Sequence, residues 1–500
     1  MADEYGIQLT DDVRPFSITT PRHVAIPLRE PTEHELQELL DDDVIERVDH
    51  PTDWCAGIVV MPKKPEESRS PTSDNGGQPQ LRVRITVDYG KLNEFVKRER
   101  YQGSTVEECL AQIGPARWFS KLDANKGYHQ VPLTESSRDQ TTFITHMGRF
   151  RFKRMPMGLK SSGEVFQKRF AAAVAGEGVI SHVDDTLITG STREEHDRRL
   201  RDVLRRLSEA GITLNKHKCQ IRVQECLFLG HHVSAEGVRP LQSKVDAILR
   251  MPVLGDLTAL RSFLGSANQL LRYTPGLSEE TESLRDLLKD DHAKEWGPEH
   301  TAAFESIKKK LASPVMLAHY DPKLPTRVTS DASQHGAGAV LEQRHVAEWR
   351  PVQYTSFTFS DTQRRYAMIE KEACAATLAC ERFKLLLVGL PQFTLRVDHK
   401  PLVAVLGDKP IADLSVRLQR FRMRMTPFSY VLIHEPGKNM LMADLLSRCP
   451  LPERLPDIDV LDEDLKISTY IRSCARFPCQ TAVSKSCVVL VSRWLTQSLS

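Results

Sequence analysis

Apolar and polar positions change rhythm several times along the chain, and each change predicts an element. Leu36, Leu39, Leu40 and Val44 recur at helical spacing behind Pro31-Thr32. Glu35, three residues after Thr32, completes a capping box, so a helix is predicted to start there. Two β-branched runs, Ala56–Met61 and Leu81–Val87, predict a hairpin, and the Pro/Ser/Gly-rich insert Pro65–Pro79 between them reads as a long loop. Gly178–Val183 and Thr186–Thr189 predict a second hairpin with Asp184-Asp185 at its tip. A helix over Arg193–Ala210 stops at Gly211, a residue type favoured just past a helix end. Leu260, Phe263, Leu264, Leu270 and Leu271 give 240–312 the period of a small helical subdomain. From Thr326 strands and helices alternate, which predicts a separate α/β domain. Val328–Leu341 reads as two strands about a turn at Ser333–Gly338, Gln363–Leu387 as a helix, Phe393–Val397 and Phe428–His434 as strands, and Asn439–Ser447 as a short helix. The prolines after Pro450, the acidic run Asp457–Asp464 and the aperiodic Cys/Ser-rich end read as linker and unstructured tail.

Length and composition narrow the class. Five hundred residues exceed a single core and allow two to four domains. Lys+Arg 68 against Asp+Glu 66 gives a net charge of +2, which excludes a polybasic or strongly acidic tail protein but leaves room for local basic surfaces. No apolar run approaches the ~20 residues that span a bilayer. The polar first residues lack the basic and apolar regions of a secretory leader, and the ten cysteines show no paired metal or disulfide spacing. A soluble, intracellular and cytoplasmic protein is expected.

Candidate chemistry starts with carboxylates. Asp184-Asp185 between β-formers could be no more than an acidic turn. Asp123, however, ends another apolar strand, with Gly127 and Tyr128 close behind. Carboxylates at the ends of separate strands suit a hard divalent cation such as Mg²⁺. Two such ions ~3.5–4 Å apart can drive phosphoryl transfer.

Three segments, FSKLDANKGYHQ (119–130), RFKRMPMGLKSS (151–162) and HVDDTLI (182–188), resemble in order and spacing the palm motifs of a reverse transcriptase. RITVDYGKLN (84–93), FITHMGRFRFKRMPMGL (143–159), TLNKHKCQ (213–220), FLGHHVSAEGVRP (228–240) and LRSFLGSANQL (260–270) extend the likeness. The chain is similar, from about 23 to 450, to the reverse transcriptase/ribonuclease H region of a gypsy-type long-terminal-repeat retrotransposon Pol polyprotein. The resemblance implies a multidomain α/β (α+β) fold. After an N-terminal extension (1–22) come fingers and palm (23–239), a helical thumb (240–312), a ribonuclease H-like domain (313–450), and the linker and tail (451–500).

By the same resemblance Asp123, Asp184 and Asp185 hold two magnesium ions, with Mn²⁺ a possible substitute. Arg84 contacts the phosphates of an incoming dNTP, Tyr128 lies under its sugar against a ribose 2′-hydroxyl, and Met157 lines the pocket. Phe228, Leu229, Gly230 and His231 grip the DNA primer on its RNA template. Asp331 in TSDAS, Glu372, Asp398 in VDHKPL and Asp444 in ADLLSR match the four carboxylates of a ribonuclease H, a second two-magnesium site that cuts the RNA of an RNA–DNA hybrid. Glu372 is taken over Glu370 because the resemblance places the ligand second. His434 would handle protons or product release there, or simply end a strand. A complete element would place the protein in virus-like particles.

Residues 193–224 hold nine Lys/Arg against five Asp/Glu, and Arg417, Arg420 and Arg424 share a helical face with Arg422 and Phe421 between them; both stretches are candidate phosphate-binding surfaces or solvated mixed-charge helices. The chain departs from the family pattern at the 65–79 insert, at Gly163-Glu164 where Ala-Pro is usual, and at Gln102-Gly103. No metal ligand is lost. An active enzyme is therefore expected, against two alternatives. One is an inactive retroelement relic or domesticated nucleic-acid-binding protein; the other is a stand-alone ribonuclease H, which leaves 23–300 unexplained.

Overall fold

The structure, a computed structural model, describes residues 1, 3–63, 81–252, 257–274, 284, 287–288, 296–312, 314–334, 336–346, 348–407 and 409–435. The 65–79 loop, the Asn439–Ser447 helix and the tail 451–500 expected above lie outside them.

The first helix, Ile26–Asp41, begins before the predicted cap. Pro27 occupies its first turn, where a missing N–H costs no intrahelical bond. Pro31 lies inside the helix, and the Thr32 hydroxyl donates to the Leu28 carbonyl (2.5 Å) instead of capping. Leu36 and Leu39 are buried, as their spacing requires. The predicted hairpin forms as Ala56–Pro62 paired with Val83–Val87. It belongs to a five-stranded sheet ordered Ile45–Arg47, Gly148–Phe152, Phe143–Thr145, Ala56–Pro62, Val83–Val87.

A four-stranded sheet, ordered Val179–His182, Asp185–Gly190, Trp118–Asp123, Gln220–Val223, forms the palm. Helices Ser162–Val174 and Arg193–Glu209 lie against it and bury Phe166, Phe170, Leu200 and Val203 in the largest core. Gly211 takes φ 66 after the second helix, as expected of a helix-ending glycine. The described residues of the 1–22 extension are built into this body. Tyr5 is buried and bridges Leu133, its hydroxyl donating to Ser161 Oγ (3.1 Å); Leu9 bridges Val96 and Ser17 bridges Cys55.

Beyond the palm, Glu225–Phe228, His231–Ser234 and Gly237–Pro240 form a small antiparallel sheet. Helices Gln242–Leu249, Leu257–Leu270 and Pro298–Leu311 share a core in which the Phe263 and Phe304 rings lie 4.6 Å apart.

The C-terminal sheet runs Glu348–Thr358, Gly336–His345, Thr326–Ala332, Phe393–Val397, Tyr430–His434, with the last three strands parallel. Strand Glu348–Thr358 was hidden in the sequence by Pro351, which sits at a register shift where a strand tolerates proline. The predicted helix Gln363–Leu387 is three: Asp361–Arg364 capped by Ser360, Met368–Arg382 and Lys384–Leu387. One buried cluster, including Phe119, Phe228, Val238, Tyr273 and Leu317, also takes in Val340 and Tyr354 of the C-terminal sheet. The described elements thus form the multidomain mixture of helices and strands that the motifs implied.

Candidate active sites

Two sites gather carboxylates, and each is built by strand ends. In the palm, Asp123 closes strand Trp118–Asp123 and lies directly across from Asp185. Asp184 sits in the two-residue turn Val183-Asp184 that closes the hairpin His182↔Asp185. Val183 has φ 54, a left-handed conformation that costs a β-branched residue roughly 1–3 kcal/mol and that tight hairpins usually give to Gly. Asp184 Oδ1 is buried with no hydrogen-bond partner. Burial first, then the charges of Asp123 and Asp185, push its carboxyl up to about 7. Asp123 is also raised, by burial first and by Asp185, against an opposing pull from Lys218. Lys218 Nζ lies 3.5 Å from Asp123 and Lys121 Nζ 3.2 Å from Asp185. Sequence reasoning missed both lysines, although each stands inside a motif it quoted.

Among the described residues no group of three His, Cys, Asp or Glu is drawn to metal-ligand spacing. The donor chemistry nonetheless fits a hard cation: a buried carboxylate oxygen without a donor, flanked by two more carboxylates.

Arg84 is half-buried on the fingers sheet, opposite Met61. Tyr128 follows strand Trp118–Asp123 on the short helix Gly127–Gln130, its ring edge-on to Phe166 at 5.8 Å. A Cβ on Gly163 would stand 3.9 Å from the Tyr128 hydroxyl, so the bare glycine leaves this flank open. Beside it Glu164 pairs with Arg98 (2.7 Å), which gives the departure at Gly163-Glu164 its own partner in the first turn of the helix. Met157 is half-buried in a turn with Gly158. Asn93 brackets that turn, donating to the Gly158 carbonyl and accepting from the Lys160 amide, both at 2.8 Å. Asn93 was missed as well; its signal is the last letter of RITVDYGKLN.

Phe228 and His231 pair across a turn in which Leu229 (φ 49) and Gly230 (φ 79) are both left-handed, as a tight hairpin requires. Phe228 is fully buried, and a Cβ on Gly230 would meet Lys244 Nζ at 2.7 Å. Burial pushes His231 down to about 4, so the neutral ring accepts from the Tyr273 hydroxyl (2.6 Å).

In the C-terminal domain Asp331 lies one residue from the end of Thr326–Ala332, and Asp398 follows the adjacent parallel strand Phe393–Val397. Glu372, on helix Met368–Arg382, is 2% exposed with Oε2 unpartnered. Burial, then the charges of Asp331 and Asp398, raise its carboxyl to about 9, against a pull from the Ala332 amide. Glu370 turns elsewhere: it accepts from the Ala367 amide and from Arg417 (2.6 Å), whose guanidinium lies 3.9 Å over Tyr366. Glu370→Gln should accordingly leave hybrid cleavage within about twofold and cost less than about 1 kcal/mol, because Arg417 is partly exposed; cleavage and thermal melts check both. His434 ends its strand with Nε2 3.0 Å from the Asp398 carbonyl. Asp444 lies outside the described residues.

On the two basic stretches several arginines have partners within the chain. On helix Arg193–Glu209, Arg199 pairs with Glu177 and Glu195, Arg205 with Asp202 and Glu209, and Arg206 with Asp202. On helix Val416–Met425, Arg417 and Arg424 tie the helix to Glu370 and Glu381, and Arg422 donates to the Val405 carbonyl. Arg199, Arg417, Arg422 and Arg424 thus tie their helices to other elements, whereas Arg205 and Arg206 pair within their own helix and Arg198, Arg201 and Arg420 are exposed. No helix among the described residues is long and apolar enough to cross a membrane.

Residues 63–233 match the family model for reverse transcriptase (RNA-dependent DNA polymerase). Residues 296–395 match that for an RNase H-like domain found in reverse transcriptase, which takes in helix Pro298–Leu311 and stops three residues short of Asp398. The chain is 29% identical over 446 residues to the retrovirus-related Pol polyprotein from transposon 412 of Drosophila melanogaster, covering 88% of the chain and 35% of that protein. It is 32% identical over 386 residues to the transposon Tf2-3 polyprotein of Schizosaccharomyces pombe, covering 75% and 29%. It thus spans about a third of these relatives. Its fold is similar to that of a foamy viral protease-reverse transcriptase solved in complex with dsDNA, with a TM-score of 0.74, 21% identity, and coverage of 87% and 88%. The chain resembles the reverse transcriptase/ribonuclease H region of a long-terminal-repeat retrotransposon Pol polyprotein, and it carries a reverse transcriptase domain followed by an RNase H-like domain.

Proposed function

We propose that the chain copies RNA into DNA in its palm and cleaves the RNA strand of RNA–DNA hybrids in its C-terminal domain. The observation that carries this reading is a pair of buried, unpartnered carboxylate oxygens, Asp184 Oδ1 and Glu372 Oε2, each pressed by the charges of two further aspartates. Like charges so gathered need protons or cations to neutralise them. Two Mg²⁺ ions per site, with Mn²⁺ as a substitute, would supply the activation of the attacking oxygen and the stabilisation of the leaving one. Asp123, Asp184 and Asp185 would hold them in the palm; Asp331, Glu372, Asp398 and Asp444 would hold them in the C-terminal domain.

The substrates on this reading are an RNA template, a DNA primer, dNTPs and the resulting hybrid. Arg84 would take the phosphates of the dNTP through charge-assisted bonds. Tyr128, propped by Phe166, would close the space a ribose 2′-hydroxyl needs. Met157, in the turn bracketed by Asn93, would line the same pocket. Phe228 to His231 would seat the primer end on a turn backed by Tyr273. His434, tied to the Asp398 backbone, would steady that ligand and stand ready for proton handling.

The test is primer extension by the full chain on end-labelled poly(rA)·oligo(dT) with dTTP and Mg²⁺. Extension together with RNA shortening supports the reading; hybrid binding with neither reaction makes the inactive relic the better one. Tyr128→Ala is expected to raise the acceptance of rNTPs over dNTPs by about tenfold or more, checked by competition between the two; unchanged discrimination would reduce Tyr128 to packing.

A further inference from the structure

We infer that a closed ring of hydrogen bonds through Ser120, His196, Asp197 and Arg222 positions the palm site by holding the bulge through which the strand after Lys218 joins the strand that ends in Asp123. The Arg222 amide donates to Ser120 Oγ (2.9 Å) and Ser120 Oγ meets His196 Nε2 (2.9 Å). His196 Nδ1 meets Asp197 Oδ1 (3.1 Å). The Arg222 guanidinium then closes the ring onto both Asp197 oxygens, at 3.0 and 2.9 Å. A neutral His196 satisfies every member in one direction: Nδ1–H donates to Asp197, the Ser120 hydroxyl donates to Nε2, and Ser120 Oγ accepts from the Arg222 amide. Burial lowers the His196 pKa, in keeping with that state.

Serine, histidine and aspartate in this order are connected like a hydrolytic relay. Ser120 and His196 are each 0% exposed, so no substrate reaches the hydroxyl. The ring serves the backbone instead.

Phe119 pairs with Val223 and Lys121 with Gln220, so Ser120 alone opposes Ile221 and Arg222. That two-against-one count defines a bulge. Arg222 has φ 54, the left-handed state that glycine usually supplies in bulges. Its amide cannot join the ladder, and the side chain of the residue it faces takes that amide. The bidentate pair with Asp197 then pins the arginine where its backbone would otherwise relax.

Just before the bulge the same chain segment lies along the catalytic strand. The Asn215 amide donates to the Asp123 carbonyl (2.9 Å), Leu214 bridges Ala124, and Lys218 reaches the Asp123 carboxylate. Removing the bulge slips the strand by one residue and turns its side chains to the opposite face. The contact between Lys218 and Asp123 does not survive that slip. Ser120, Asp197 and Arg222 are therefore positioning residues for a carboxylate that none of them touches.

This inference rests on the polymerase reading for its functional half, so the test carries two readouts. In the full chain, Ser120→Ala and Asp197→Asn should speed hydrogen exchange at the Asn215 and Arg222 amides by at least about tenfold while Leu395, in the C-terminal sheet, stays unchanged. In primer extension both should lower kcat by at least about tenfold with the KM for dTTP within about twofold, hybrid cleavage by the same protein being unaffected. Arg222→Gly suits the left-handed backbone yet opens the ring, and should show the same kinetic split even if Asp197→Asn folds poorly. Ser120→Thr keeps the hydroxyl and should restore both readouts. Unchanged exchange at Asn215 in every variant overturns the inference, as does a parallel fall of extension and cleavage that Ser120→Thr does not reverse. A wild-type chain that fails to extend defeats the polymerase reading, and the exchange rates still decide whether the ring holds the strand.

Discussion

Asp184→Asn should lower primer extension by about a thousandfold or more and leave hybrid cleavage by the same protein within about twofold. The amide keeps the shape of the carboxylate but removes the charge that would face a metal ion. The same substitution should stabilise the metal-free fold. An unfolded Asp ionises near its ordinary value of ~3.9, whereas folded Asp184 keeps its proton up to about 7. Between those values the unfolded chain has released a proton that the folded chain retains, so the folded state loses ground as pH rises. The loss is at most about 1.4 kcal/mol per pH unit and levels off above about 7. Asparagine has no such loss. In EDTA at pH 8 the variant should melt above the wild type, and by pH 4 the two should converge. A variant melting below the wild type at pH 8 without metal would mean that Lys121 and Lys218 already compensate the charge.

Glu372→Gln should reverse the pattern, with hybrid cleavage down by about a thousandfold or more and extension intact. The physical basis is its isolation. Glu372 is the most deeply buried of the described candidate ligands, and its pKa of about 9 means that at pH 8 the metal-free site still holds a proton on it. A cation must expel that proton, so its affinity should climb with pH, by up to about tenfold per unit below pH 9. Mg²⁺ titration calorimetry in buffers of different ionisation enthalpy would reveal the released proton, and Glu372→Gln should abolish it. Normal cleavage by Glu372→Gln would send the ligand role elsewhere, and Glu370, already engaged by Arg417, is a poor substitute.

What could be read from the sequence was local. The hairpin around Asp184, the strand Phe393–Val397 and the helix ending before Gly211 each carry their signal within a dozen residues, and all form, although the hairpin turns one residue earlier than read, at Val183-Asp184, with Asp185 already in the strand. Thr32 misled because a proline-threonine pair looks like a cap even inside a helix that starts earlier. Strand Glu348–Thr358 was lost to Pro351, since only a partner strand shows that a bulge accommodates it. The basic stretches could not be resolved for the opposite reason: composition counts charges, and only packing shows that Arg417 and Arg424 have partners within the chain. At the candidate sites motif order singled out the carboxylates that the fold draws together among the described residues. Lys121, Lys218 and Asn93 were not singled out, because nothing in one sequence distinguishes a lysine facing a carboxylate from one facing water. The ring through Ser120, His196 and Arg222 was out of reach, its members joining only when three elements meet.

The weaving of the first residues into the palm also sets a timetable. Tyr5 leaves the ribosome before Leu133, beside it in the fold, and before Ser161, its hydroxyl partner 156 positions on. At about 5–20 residues per second that wait lasts roughly 8–30 seconds. Through it the aromatic ring of Tyr5 and the side chain of Ile7, both buried in the finished protein, stay in water or with a chaperone. The palm therefore cannot close before residue 161 is made, on a segment made 156 positions earlier.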